Sequence, residues 1–264
     1  MKRILFYSCL IVAAFAGCKK NKLAENQIWN NSPATYANIR FYNAFTALTP
    51  SAGIPANGPS VDIFVNNVRI NGAAGGLGVA YGGVFPTATG TYANIPAGTL
   101  VNFKVVLNRV AGGATPSDTI VNTNLNLGPL SQTTLFLTDS LPVPISPTNP
   151  FLVTVGESVS PPITGKFKMR FVNMVANGDT LGVYSRRNGA LVADNIVYRS
   201  LSPWIELPLP PFADTLDLRK TGTVANISSV SNFTGGNQRS YTFIARGNTN
   251  VAGRTRTLTF YTSQ

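Results

Sequence analysis

The chain has 264 residues, 44% of them hydrophobic and only 12% charged, with 21 basic residues against 10 acidic ones. It contains no histidine, which removes the commonest general base and metal ligand. The polar remainder is carried by Asn, Thr, Ser and Gly, which suit strand faces and turns. No long 3.6-residue periodicity follows the first stretch, so helical classes are excluded and the composition reads as all-β.

Lys2-Arg3 followed by an apolar run over residues 4–15 has the form of a signal peptide, and the run is too short to span a bilayer. Phe15-Ala16-Gly17-Cys18 resembles the lipobox of bacterial lipoproteins, with Phe15 where Leu is usual. Residues 1–17 are therefore expected to be removed and Cys18 to be lipidated. The alternative is an ordinary secretory signal beside an incidental cysteine. Two or more acyl chains make such an anchor stable, where one is marginal. Cys9 lies within the removed segment, so no disulfide is expected in the folded part. Residues 18–35 read as a flexible tether. The expected address is the envelope of a Gram-negative bacterium, lipid-anchored in the outer membrane. Lys19, Lys20 and Lys22 stand where surface-exported lipoproteins of some groups carry acidic residues.

The first module is expected over residues 36–158. It opens on Ile39-Arg40-Phe41-Tyr42-Asn43-Ala44, which returns as Met169-Arg170-Phe171-Val172-Asn173-Met174. Residues 61–65 and 68–70 flank Asn66-Asn67, a two-residue hairpin signal because Asn tolerates positive φ. Residues 72–83 are Gly-rich without the spacing of a phosphate-binding loop, and read as a mobile hairpin loop. Ile95-Pro96-Ala97-Gly98-Thr99 reads as a turn before a strand in which Val101, Phe103, Val105 and Leu107 share one face. Strands at 125–127 and 135–137 surround Gly128-Pro129, and residues 151–155 close the module.

A linker at 159–165 carries Pro161-Pro162, and the second module at 166–264 is expected to fold independently of the first. There the order repeats: a strand at 168–174, a hairpin with a type I′ signal at Asn188-Gly189, then Ile205-Glu206-Leu207-Pro208, and strands at 215–219, 241–244 and 258–261. Arg40 to Ala44, Val61-Asp62-Ile63-Phe64-Val65-Asn66 and Ile95-Pro96-Ala97-Gly98-Thr99 resemble signature strands of the domain-of-unknown-function 4397 family. The second module, with Leu181-Gly182-Val183 and no Pro-Ala-Gly, is a degenerate copy. The resemblance implies immunoglobulin-like modules in secreted or lipid-anchored bacterial proteins, and because the family has no established activity it assigns no functional residues. The expected fold is all-β, with two tandem immunoglobulin-like antiparallel β-sandwich modules.

Chemistry-bearing motifs are few. There is no G-x-S-x-G elbow, and Glu25, Glu157 and Glu206 are the only glutamates. Asp214 and Asp217 are three apart, which on a strand sends them to opposite faces. No enzyme, cofactor or metal is expected, although a carboxylate site assembled from distant residues stays open. From residue 166 onward twelve basic residues stand against five acids, and nine of the twelve are Arg, while residues 36–158 balance at four and four. Arg186 and Arg187 are candidate contacts for an anionic ligand, with scattered solvated charge as the other reading. Trp204 near Tyr198 and Arg199 is either a sugar-stacking platform or a core tryptophan.

Asp118-Thr119-Ile120, Asp139-Ser140-Leu141, Asp179-Thr180-Leu181 and Asp214-Thr215-Leu216 share one pattern. It resembles an O-glycosylation acceptor of exported bacterial proteins, making Thr119, Ser140, Thr180 and Thr215 candidates. Side-chain-to-backbone turns at strand mouths are the competing reading. The expected function is a non-enzymatic, lipid-anchored envelope protein with a scaffold or adhesion role. Its partners would be the membrane and an envelope glycan, lipopolysaccharide or envelope protein, not nucleic acid. A carbohydrate-binding lipoprotein serving polysaccharide capture is the alternative.

Overall fold

A computed structural model describes residues 35–46, 59–72, 78–88, 90–108, 119–139, 150–157, 160–176, 178–248 and 254–263. The first half contains β1 (Tyr36–Asn43), β2 (Ser60–Val65), β3 (Val68–Arg69), β4 (Val84–Phe85), β5 (Ala93–Pro96), β6 (Leu100–Asn108), β7 (Thr119–Asn126), β8 (Gln132–Asp139) and β9 (Pro150–Gly156). The second contains β10 (Lys166–Ala176), β11 (Leu181–Ser185), β12 (Leu191–Ile196), β13 (Ser200–Leu201), β14 (Ile205–Pro208), β15 (Asp214–Lys220), β16 (Asn226–Phe233), β17 (Ser240–Asn248) and β18 (Thr257–Thr262).

The two halves match strand for strand. In the first, β4-β1-β8-β9 with β5 on β1 forms one sheet and β3-β2-β6-β7 the other. In the second, β13-β10-β17-β18 with β14 on β10 faces β12-β11-β15-β16. Each is a β-sandwich, and the chain is all-β with a sandwich repeated. One ladder per module is parallel, β1 with β8 and β10 with β17, and the rest are antiparallel.

The hexapeptide repeat is explained by which way its side chains point. Residues two apart on a strand share a face. Ile39 and Phe41 pack against Ile63, Phe103 and Val105 in the first core, and Met169 and Phe171 pack against Val183 and Leu218 in the second. The intervening positions point the other way, and there the two modules meet. Tyr42, Ala44, Phe136 and Val155 of the first form one buried cluster with Val172, Met174 and Ile244 of the second. The two five-stranded sheets are thus covered on both faces, the condition in which strands read as continuous apolar runs rather than alternating ones. Four sheets lie in succession, with the five-stranded pair in the middle.

The repeated Asn closes the end of each sandwich. Asn43 Nδ2 donates to the carbonyls of Pro59 and Val79 at 3.0 Å each, while its Oδ1 accepts from the Phe45 amide. Asn173 Nδ2 donates to Ile196 O at 2.9 Å and its Oδ1 accepts from the Val175 amide. Each is fully buried, so these bonds satisfy backbone groups that water does not reach.

The hairpins diverge. Asn66 and Asn67 both adopt positive φ (49° and 64°), the expected two-residue turn. At Asn188-Gly189 only Gly189 does, and the loop spans four residues, because Ser185 N bonds Ala190 O and Asn188 Oδ1 accepts the Ala190 amide. The residues Ile95-Pro96, read as a turn, instead end β5 and pair with β1. The chain leaves β9 at Gly156 and enters β10 at Lys166, with Pro162 buried between them.

Candidate functional site

The arginines decide where the unusual chemistry sits. Arg40 and Arg170, at the same place in the repeat, are 1% and 2% exposed. Each reaches into the opposite module. Arg40 Nη1 donates to Thr262 O at 3.1 Å on β18, and Arg170 Nη1 donates to Gly156 O at 3.2 Å on β9. Both guanidinium groups lie over aromatic rings. Arg40 stands 4.4 Å from the Tyr92 centroid and 4.5 Å from Tyr261, and Arg170 stands 4.4 Å from Trp204. Such contacts are worth about 0.5–2 kcal/mol, more when desolvated.

The symmetry breaks at the counter-ion. Glu157 and Ser263 hold equivalent places, each amide bonding the first residue of the strand beside it, Gln132 and Ser240. Glu157 lies 2.6 Å from Arg170 Nη2, and its Oε1 accepts from Thr134 Oγ1 at 2.5 Å and Tyr261 OH at 2.8 Å. Ser263 supplies no charge, so Arg40 relies on carbonyls and rings. Burial raises the Tyr261 phenol well above its ordinary value, and the Glu157 charge adds to this. Burial likewise pushes Tyr92 up to about 12, with Glu157 raising it further and Arg40 and Arg170 opposing.

Three more arginines of the second module cross the same boundary. Arg246 Nε donates to Tyr42 OH at 3.0 Å and its guanidinium covers the Tyr81 ring. Arg254 Nε donates to Thr46 O at 3.2 Å. Arg199 donates to Asp139 O at 2.9 Å and lies 3.9 Å from the Phe151 centroid. Gly82, with φ +75°, packs its backbone on Arg246; a Cβ there would lie 2.5 Å from the guanidinium carbon. The end of the Gly-rich stretch is therefore part of this face. Four of the nine second-module arginines serve the contact between modules, a use that charge counting does not reveal.

Trp204 covers Arg170, whereas Tyr198 and Arg199 reach β8 and β9, so these three do not assemble into one platform. Tyr198 OH donates to Asp139 O as well. Cys18 lies outside the described residues.

At the β11–β12 corner, Arg186 forks onto Asp217, with Nη2 at 2.6 Å from Oδ1 and Nε at 3.2 Å from Oδ2. Arg219 and Ser229 complete the shell of Asp217. Burial works to raise the Asp217 carboxyl, but hydrogen bonds from Arg186, Ser229 and Arg219 outweigh it and hold it below the usual carboxylate value. A lowered folded pKa contributes stability that is present above the unfolded value near 4 and is lost as pH falls through the folded one. Asp217→Asn is expected to cost about 1–2 kcal/mol at pH 7, less than a fully buried charge because Arg186 is half exposed. Urea unfolding at pH 7 and pH 3 should show wild type and variant converging at the lower pH. A constant gap would assign the loss to packing.

Arg187 points elsewhere, its guanidinium 5.2 Å from the Phe212 centroid with no carboxylate partner among the described residues. Asp214 accepts from Ser185 Oγ at 2.5 Å and from the Arg187 amide at 3.2 Å. A bulge between Asp214 and Leu216 shifts the register, and the two carboxylates bind separate partners, Asp214 with Ser185 and the Arg187 amide and Asp217 with Arg186, Arg219 and Ser229. Of the hydroxyl candidates, Thr119 is exposed at the start of β7, Thr180 and Thr215 are half-buried, and Ser140 lies outside the described residues. Asp139 binds the Thr46 amide and hydroxyl, and Asp179 pairs with Lys220 at 2.9 Å, so these aspartates have structural roles of their own.

The family model for a domain of unknown function, DUF4397, matches residues 37–184, the whole first sandwich and the first two strands of the second. No curated protein matches the chain.

Proposed function

The chain belongs to the DUF4397 family, and from that premise we propose that it is a non-enzymatic, lipid-anchored envelope protein whose two sandwiches act together as one stiff scaffold. The observation that carries the reading is the arginine-built face between the modules. A pair of sandwiches joined only by a linker reorients freely, whereas one joined by crossing arginines and a shared apolar cluster keeps a fixed geometry. Fixed geometry is what a spacer or scaffold requires of its parts, and it presents the two outer sheets at a constant separation from each other.

Cys18 supplies the attachment in this proposal, through the acyl chains that its signal sequence implies. Wild type expressed in a Gram-negative host should fractionate with membranes, and its N-terminal peptide should carry acyl mass. Cys18→Ala should appear in the soluble envelope fraction. Soluble wild-type protein without acyl groups would overturn the anchor. Intact mass of protein purified from its native host reads the hydroxyl candidates, with Thr119 the first expected to carry added sugar.

A further inference from the structure

The second sandwich is open where the first is closed. In the first, Val65, the last residue before the hairpin turn, faces Phe103 across the ladder, and both are fully buried. The same place in the second holds Ser185 facing Leu216. The connection from β14 to β15 is also longer than that from β5 to β6, and it carries Pro210 and Pro211. A cavity of about 470 Å³ results, walled by Phe167, Met169, Ile205, Leu207, Leu216 and Phe233. Its size falls within the roughly 300–1,000 Å³ of small-molecule sites, which are mostly apolar with a few convergent polar groups.

The polar groups gather on the side of the β11–β12 corner. Ser185, Arg187, Asn188 and Asp214 belong to it, and Leu191 (56% exposed) lines the same cavity. The Asp214 carboxylate keeps its charge, but its oxygens are occupied by hydrogen bonds from Ser185 and two backbone amides. Arg187 is the cation of this lining, without a carboxylate partner among the described residues and held against Phe212, itself 70% exposed. An apolar interior with a single cation at its edge complements a chain-like amphiphile with one anionic end. We propose that this cavity binds the hydrocarbon chain of a fatty carboxylate, with Arg187 contacting the carboxylate. The site does not depend on the scaffold reading or on the anchor, and it can stand if either fails.

The test uses the full mature chain with Cys18→Ser, titrated calorimetrically with dodecanoate below its micellar concentration and, separately, with 1-dodecanol. Dodecanoate is expected to bind at one site per chain. Arg187→Gln should weaken dodecanoate about tenfold or more and leave 1-dodecanol unchanged, because only the carboxylate loses a partner. The pair Ser185→Val with Leu216→Phe copies the first sandwich and should abolish binding of both ligands. Its thermal midpoint, unchanged or raised, verifies that it folds. Absence of dodecanoate binding to the unsubstituted cavity would overturn the proposal. So would equal loss of both ligands in Arg187→Gln, a variant whose exposed position leaves the fold intact, or undiminished binding by the folded double variant.

Discussion

Replacing Glu157 with alanine is expected to lower the unfolding free energy by about 3–5 kcal/mol, the cost of leaving a buried charge without its partner. Glu157 is 1% exposed and Arg170 2%, so water does not re-solvate the stranded guanidinium without opening the contact between modules. Thr134 and Tyr261 lose their acceptor in the same substitution. Arg170 keeps its bond to Thr242 Oγ1 at 3.0 Å, its bond to Gly156 O and the Trp204 face, which pulls the loss toward the lower end of the range. Adding Arg170→Met to Glu157→Ala should recover part of the loss, because removing both charges removes the desolvation penalty with them. Urea unfolding of the two singles and the double measures this. A loss below about 1 kcal/mol for Glu157→Ala would mean that the pair is solvated and the face is loose.

Much of this fold is legible in the chain, and what is not legible has a physical cause. The repeat around Arg40 and Arg170, the Asn66-Asn67 turn and the alternation from Val101 to Leu107 are local patterns that a strand's two-residue period makes visible. The same period places Arg40 opposite Phe41, but it says nothing about what covers that second face. A signal was available: Phe171-Val172, Met174-Val175-Ala176 and Leu135-Phe136-Leu137 are apolar on consecutive residues, the mark of a strand buried on both sides. Together with the arginines, these runs point to a face between the modules. The Asn188-Gly189 turn misled because Asn188 uses its side chain to cap the Ala190 amide instead of adopting positive φ.

The difference between the two cores lay further from view. Ser185 and Leu216 are unremarkable residues for a strand, and only the register that sets them against Val65 and Phe103 exposes missing volume. Likewise, the charge excess of the second module was countable, but its meaning was tertiary. Arg199, Arg246 and Arg254 are scattered in the chain and converge only when β17 and its neighbours lie against the first sandwich. The residues whose sequence neighbourhoods drew attention as an anion-binding pair also separate in space. Arg186 turns to Asp217, while Arg187 turns to Phe212 and the cavity.

Cutting the chain between the modules should leave them together. A protease site introduced over residues 158–161 severs the connection between β9 and β10 without touching either strand. If the face behaves as its composition implies, the two fragments should co-elute on size exclusion at about 10 µM, which requires a dissociation constant near or below about 1 µM, about 8 kcal/mol. The contact has the features of a stable interface: a buried apolar centre of Tyr42, Phe136, Val172, Met174 and Ile244, flanked by arginines that donate to carbonyls and hydroxyls of the facing module. A charge at its centre is the matching control. Ile244→Asp places a carboxylate in a fully buried position within that apolar cluster, a desolvation cost that Arg246, already bonded to Tyr42, offsets only in part, and the folded chain then gains by separating its halves. The cut Ile244→Asp protein should elute as two smaller species, each retaining strand-rich circular dichroism because Phe243 and Ala245, on the opposite face of β17, still pack in the second core. Separation of the cut wild-type fragments under the same conditions would show that the linker, not the arginine face, holds the sandwiches in place, and the scaffold reading would lose its support.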